Sequence, residues 1–148
     1  MACPASGDTP ENGFFVLISS QRAVRDALRE IFLHPVTSGL PDEARGSAEI
    51  VLAEALNNIV EHAYGQDDGK IELRLQATKG MLRCDVFDCG APMPGCELPK
   101  GLPQPIGDLA TLPEGGFGWF LIRTLTQNLA YRRNGERNHL SFQLIIQQ

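Results

Sequence analysis

The chain has 148 residues, 43% of them apolar and 21% charged, with a formal net charge of −5 and a pI near 5.1. That length fits one domain whose core can support the fold without staples. The acidic balance argues against direct nucleic-acid binding, which wants a basic face. No apolar run is long enough to span a bilayer. Cys3, Cys84, Cys89 and Cys96 form no CxxC pair, so zinc-site spacing is absent and reduced thiols in a cytoplasmic protein are expected.

The first twelve residues lack a basic stretch followed by an apolar one, so they read as a disordered lead-in to a domain over 13–148. "GFFVLISS" is a short apolar strand. "QRAVRDALREIF" follows with Val24, Ala27, Leu28, Ile31 and Phe32 at helical spacing. "HPVTSGLP" breaks it. "PDEARGSAEIVLAEALNNIVEHAY" reads as one long helix, with Pro41, Asp42 and Glu43 in its first turn and Gly65 as its C-terminal cap. "KIELRLQAT" and "MLRCDVFD" alternate, with Ile71, Leu73 and Leu75, then Leu82, Cys84 and Val86, on the inward face. "KG" between them signals a hairpin. From Gly90 to Gly115 the chain holds six of its ten prolines and five glycines. A loop of that length in a compact domain is usually functional, often a lid, and "IGDLATL" suggests a helical turn inside it. "FGWFLIRTLTQNL" is helical. "LAYRR" and "HLSFQLII" close the chain as strands around Asn134–Gly135. This order predicts an α+β two-layer sandwich, with a mixed, mostly antiparallel sheet covered on one face by helices.

Three clusters carry chemistry. In "EALNNIVEHAYG", positions four apart drift only about 40° around a helix, so Glu54, Asn58 and His62 share a stripe. A carboxamide oxygen there can ligate Mg²⁺ and a carboxylate can accept a proton. The same stripe alone is more often the solvated side of an amphipathic helix. In "FDCGAPMP" the alternation continues to Asp88 and puts a carboxylate on the core side, where it needs a donor such as an exocyclic amine. Gly90 beside it lets a flat ring approach the backbone. The other reading is a turn-forming Asp whose side chain is satisfied by backbone amides. In "EGGFGWFLIRTL" the glycines at a helix start suit a phosphate, or else a hinge that ends the lid.

In order and spacing, these clusters resemble the N, G1 and G2 boxes of the GHKL (Bergerat-fold) ATPases. They are most similar to the small anti-sigma factor serine kinases of the RsbW type. "EALNNIVEHAY" resembles the N box, "DCGAPMP" the G1 box and "PEGGFGWFLIRTL" the G2 box, and the likeness runs from about Phe14 to the end. It implies ATP and Mg²⁺ as cofactors, Glu54 as general base and Asn58 as the metal ligand. It implies Asp88 and Gly90 at the adenine, Gly116, Phe117 and Gly118 at the phosphates, and Ser141 reaching the adenine pocket. His62 and Tyr64 are expected to pack or support. The G1 box has "GAPMP" where larger relatives have a second glycine, and Glu114 stands where some relatives carry a base.

The resemblance further implies an anti-sigma factor and serine-protein kinase in a partner-switching system. Its partners would be a sigma factor and a STAS-type anti-sigma-factor antagonist, and it would form a homodimer. A non-catalytic module that binds nucleotide and sequesters a protein is the alternative. A detached histidine-kinase catalytic domain is a more distant one.

Overall fold

The computed structural model describes residues 11–65, 69–99 and 116–146. The first strand, β1 (Glu11–Ile18), takes in Glu11 and Asn12, and the rest of the expected lead-in, residues 1–10, lies outside the described residues. Strand alternation runs unbroken from Gly13 inward-facing to Ile18 outward-facing, and Glu11 and Asn12 pair with Ala77 and Gln76 of the next strand. Ser20 then caps α1 (Gln21–Ile31), its side-chain oxygen accepting from Ala23 N at 3.0 Å. Val24, Ala27 and Ile31 form its buried stripe.

The break at "HPVTSGLP" contains a single turn of helix, α2 (Pro35–Ser38), started by the His34 ring accepting from Val36 N at 2.9 Å. The long helix is divided. Its α-helical part, α3 (Asp42–Asn58), has Pro41 just outside and Asp42 and Glu43 in the first turn. From Ile59 to Tyr64 the chain winds as a π-helical turn, a form often found at functional sites. Gly65 follows as the expected cap.

Strands β2 (Lys70–Thr78) and β3 (Met81–Asp88) form the expected hairpin, with Gly80 at φ 81° in its turn. The described part of the proline-rich loop ends at Pro99 and holds one 3₁₀ turn at Pro94–Cys96. The turn expected at "IGDLATL" lies outside the described residues. Helix α4 (Gly116–Leu125) is shorter than predicted, because Gln127 already belongs to β4 (Gln127–Asn134), which pairs with β5 (Arg137–Ile145).

The sheet order is β1-β2-β3-β5-β4, and every described pairing is antiparallel. The core lies between this sheet and the helices. Ile71, Leu73, Leu82, Val86, Leu140 and Phe142 from the strands meet Leu52, Leu56, Trp119 and Ile122 from the helices. The sheet's other face carries Phe14, Val16 and Ile18 at 58%, 51% and 59% exposure. Strand β4 has a bulge. Gln127 pairs with Gln143 but Ala130 with Ser141, so three steps on β4 match two on β5, and Asn128 sits at φ 55° within it.

Candidate functional site

Where β3 ends, Asp88 is 6% exposed and faces the helices, as the period-two pattern of its strand requires. Its Oδ1 accepts from Gly90 N and from Asn138 Nδ2, both at 2.8 Å. Among the described residues neither bond uses Oδ2. Burial raises the Asp88 carboxyl above its ordinary value, opposed by the bonds from Asn138 and Gly90 and by the charge of Arg133.

The corner after Asp88 is held from the helix side by the π-helical turn. Cys89 N donates to Tyr64 Oη at 2.6 Å, Tyr64 Oη donates to Lys70 O at 2.7 Å, and Ala91 N donates to Ala63 O at 2.7 Å. A Cβ on Gly90 would stand 2.6 Å from Ala63 O, so only glycine fits this approach. The reading of Tyr64 as a supporting group matches these contacts.

Asn58, on the last turn of α3, is 9% exposed, and among the described residues its Nδ2 finds no partner. Both Asn58 and Asp88 line a cavity of about 440 Å³, together with His62, Met93, Trp119 and Asn138. The cavity wall is largely apolar, with a few convergent polar groups, which is the usual make-up of a small-molecule site.

Glu54 is placed differently. It borders a second groove, between α1 and α3, with Arg29, Phe32 and Ile50, and does not line the cavity. Its carboxylate lies against Gly118 at the start of α4. A Cβ on Gly118 would overlap Glu54 Oε2 and stand 3.1 Å from its Cδ. Gly116 and Phe117 open the same helix. The structure therefore brings Glu54 to Gly118 at the helix start, and Asn58 to the same cavity as Asp88, whose Oδ1 is held by Gly90 N.

Ser141 does not join them. It alternates with Leu140 and Phe142, which are buried under the helices, and pairs with Asp85 on the open face of the sheet. The expected reach of Ser141 into the adenine pocket is thus corrected, because the side-chain period of a strand sends it the other way.

A profile of the histidine kinase-like ATPase domain matches residues 17–144. The chain belongs to that family. Within it the chain is similar to the serine-protein kinase RsbW of Bacillus thuringiensis (strain Al Hakam), 33% identical over 86 residues, which are 55% of this chain and 52% of the relative. The RsbW of Bacillus cereus (strain AH187) matches to the same extent. The chain spans about half the length of these curated relatives. Among solved structures, the RsbU and RsbW domains of Rv1364c from Mycobacterium tuberculosis superpose with a TM-score of 0.57 at 17% identity, over 92% of this chain and 32% of that one. The histidine kinase domain of the Erythrobacter litoralis EL346 blue-light activated histidine kinase gives 0.54 at 20% identity, over 85% and 60%. These two likenesses show the shared fold.

In this ATPase-family fold, sequence reasoning missed the residue that does face Asp88 from β5. Asn138 is 4% exposed and stands two residues before Leu140 in the alternation, which is the signal that marks it as inward. Two residues of β4 join it: Tyr131 Oη donates to Asn138 Oδ1 at 2.6 Å, and Arg133 Nη1 donates to it at 3.0 Å. At the far end of the described loop, Arg123 of α4 donates twice to Pro99 O, at 2.9 and 2.8 Å. No helix among the described residues is long and apolar enough to cross a membrane.

Proposed function

We propose that this ATPase-family chain binds Mg²⁺–ATP in the cavity between α3, β3 and β5. In this reading it acts as a cytoplasmic anti-sigma factor and serine-protein kinase. It phosphorylates a STAS-type anti-sigma-factor antagonist, and it sequesters a sigma factor, as a homodimer, when the antagonist is unavailable. The observation that carries the reading is the pairing of two incompletely satisfied polar groups on one apolar cavity: the Asp88 carboxylate and the Asn58 carboxamide. A buried amide donor that no described residue satisfies is costly unless a further group completes it, and a bound ligand would do so.

Among the described residues no cluster of three or more His, Cys, Asp or Glu is placed to hold a metal. A hard cation at Asn58 would therefore share its shell with nucleotide phosphates and water, as Mg²⁺ commonly does. The Asn58 carboxamide oxygen would be the ligand there, and its Nδ2, without a partner among the described residues, suits an acceptor such as a phosphate oxygen rather than the cation. When bound, Mg²⁺ supplies charge neutralisation on the phosphates. The chain's own residues do the rest. Asp88 accepts from the base amine. The backbone N–H groups at the start of α4 face the phosphates from the positive end of the helix. Glu54, against Gly118 and open to the groove between α1 and α3, takes the proton from the attacking serine hydroxyl.

The second reading is a non-catalytic sequestering module, and one observation favours it: Glu54 stands outside the cavity that Asn58 and Asp88 line. The two readings separate in one experiment. Wild type, Glu54→Gln and Asn58→Ala are titrated with ATP with and without Mg²⁺, and each is assayed for phosphoryl transfer to the antagonist. The kinase reading expects Glu54→Gln to keep its ATP affinity and lose transfer by about a hundredfold or more. It expects Asn58→Ala to lose the magnesium-dependent part of binding. Transfer at the wild-type rate by Glu54→Gln removes the base assignment, and nucleotide binding without any transfer by wild type favours the sequestering module.

A further inference from the structure

Asn138 has four hydrogen-bonding valences, two N–H donors and two acceptor positions on oxygen. The structure uses all of them. Its Nδ2 donates to Asp88 Oδ1 at 2.8 Å and to Ala91 O at 3.0 Å, with a longer contact to Gly90 O at 3.3 Å. Its Oδ1 accepts from Tyr131 and from Arg133. Asn138 thus borders the cavity but offers a ligand no polar group of its own.

The groups around it extend the same frame. Arg133 Nη1 also donates to Gly90 O at 2.7 Å, and Met93 N donates to Tyr131 Oη at 3.0 Å. The β4–β5 hairpin therefore grips the corner Gly90–Met93 from the sheet side, opposite the grip of Tyr64 and Ala63 from the helix side. Both described bonds to Asp88 fall on Oδ1, and one of them comes from this network. A carboxylate held by one oxygen has a fixed plane, and its second oxygen points in a fixed direction.

We propose that Asn138 is a positioning residue for base selection: backed by Tyr131 and Arg133, it occupies Asp88 Oδ1 and leaves Oδ2 alone to accept from an exocyclic amine. The inference rests on the nucleotide-binding reading of the cavity and adds to it the group that sets discrimination. A ligand with a carbonyl oxygen in place of that amine meets a fixed lone pair and is rejected. With Asn138 removed, Asp88 Oδ1 keeps only the bond from Gly90 N, its plane is held less firmly, and the preference falls even where binding survives.

The test compares the dissociation constants of ATP and ITP, which differ at this position of the base, for wild type, Asn138→Ala, Asn138→Thr and Tyr131→Phe, each with a thermal melt. Wild type should prefer ATP by about tenfold or more. In Asn138→Ala the ratio should fall to within about threefold of unity, and Asn138→Thr, whose hydroxyl can still donate to Asp88, should recover part of it. Tyr131→Phe, which removes one of the two donors to the Asn138 oxygen and the acceptor of Met93 N, should give an intermediate ratio. A cooperatively melting Asn138→Ala that keeps the wild-type ratio overturns the proposal. If Asn138→Ala does not fold, an unchanged ratio in Tyr131→Phe overturns it. A wild type that binds neither nucleotide overturns the cavity reading and this inference with it, whereas a retained ratio overturns this inference alone.

Discussion

Asp88 shows how one side chain can be placed against its own stability. Burial raises its carboxyl above the ordinary value, and the bonds from Asn138 and Gly90 and the charge of Arg133 offset only part of that. Between the ordinary value and the raised one, the folded chain holds a proton that the unfolded chain has released. Stability therefore falls as pH rises through that window and stays lower above it. Asp88→Asn has no charge to bury, and its amide oxygen can still accept from Gly90 and Asn138. It should melt above wild type at neutral pH, and the difference should vanish on acidification below the window. Its ATP affinity should nevertheless fall by about tenfold or more, because a donor replaces the free acceptor. Melts at two pH values together with one ATP titration check both halves. Asp88 was legible in the sequence because Leu82, Cys84 and Val86 set its phase. Asn138 obeys the same rule with Leu140 and Phe142, and Ser141 is turned away by it.

At the level of elements, the site depends on contacts between segments far apart in the chain. Glu54 and Asn58 share a helical stripe, as their spacing predicts, yet they meet different surroundings. The reason is α4, which lays Gly118 against Glu54 and Trp119 beside the cavity. No periodicity within α3 carries that information, since it depends on how two helices pack. The close approach gives a sharp expectation for Gly118→Ala. Alanine is favoured over glycine in a helix by about 1 kcal/mol, and the atom in its way is the end of a flexible side chain. The variant should therefore melt at or above the wild-type temperature. Its Cβ must displace the Glu54 carboxylate, so phosphoryl transfer to the antagonist should fall by up to about a hundredfold. A transfer assay and a melt on the same preparation check it, and unchanged transfer would separate Glu54 from the chemistry. The π-helical turn is another feature the pattern concealed. "IVEHAY" continues the apolar spacing of α3, but Ala63 O and Tyr64 Oη are committed to the corner after Asp88.

Across the whole molecule, the sheet separates two surfaces of different character. One is sealed by helices and contains the core and the cavity. The other exposes Phe14, Val16 and Ile18 on β1 and, beside them, Arg74 and Arg137 over the Phe87 ring and His139 stacked on it. The two-layer architecture was legible from element order. The strand order was not, because the insertion of β5 between β3 and β4 joins Asp88 to a residue fifty positions later. The bulge in β4 makes this separation a matter of counting. If Asn128 took a regular place in the ladder, the register that starts at Gln127 and Gln143 would set Tyr131 opposite His139 and Arg133 opposite Arg137, on the open surface. With the bulge, they stand opposite Leu140 and Asn138, on the side of the cavity. The bulge in β4 is thus a parity bit, and its value decides which surface receives a phenol and a guanidinium. Deleting Asn128 removes the surplus residue itself and leaves Tyr131 opposite Leu140 and Arg133 opposite Asn138 in a regular ladder. The shortened chain should still melt cooperatively, and its ATP-to-ITP preference should stay near that of wild type. A preference that drops to that of Asn138→Ala would mean that the strand slips to the other register.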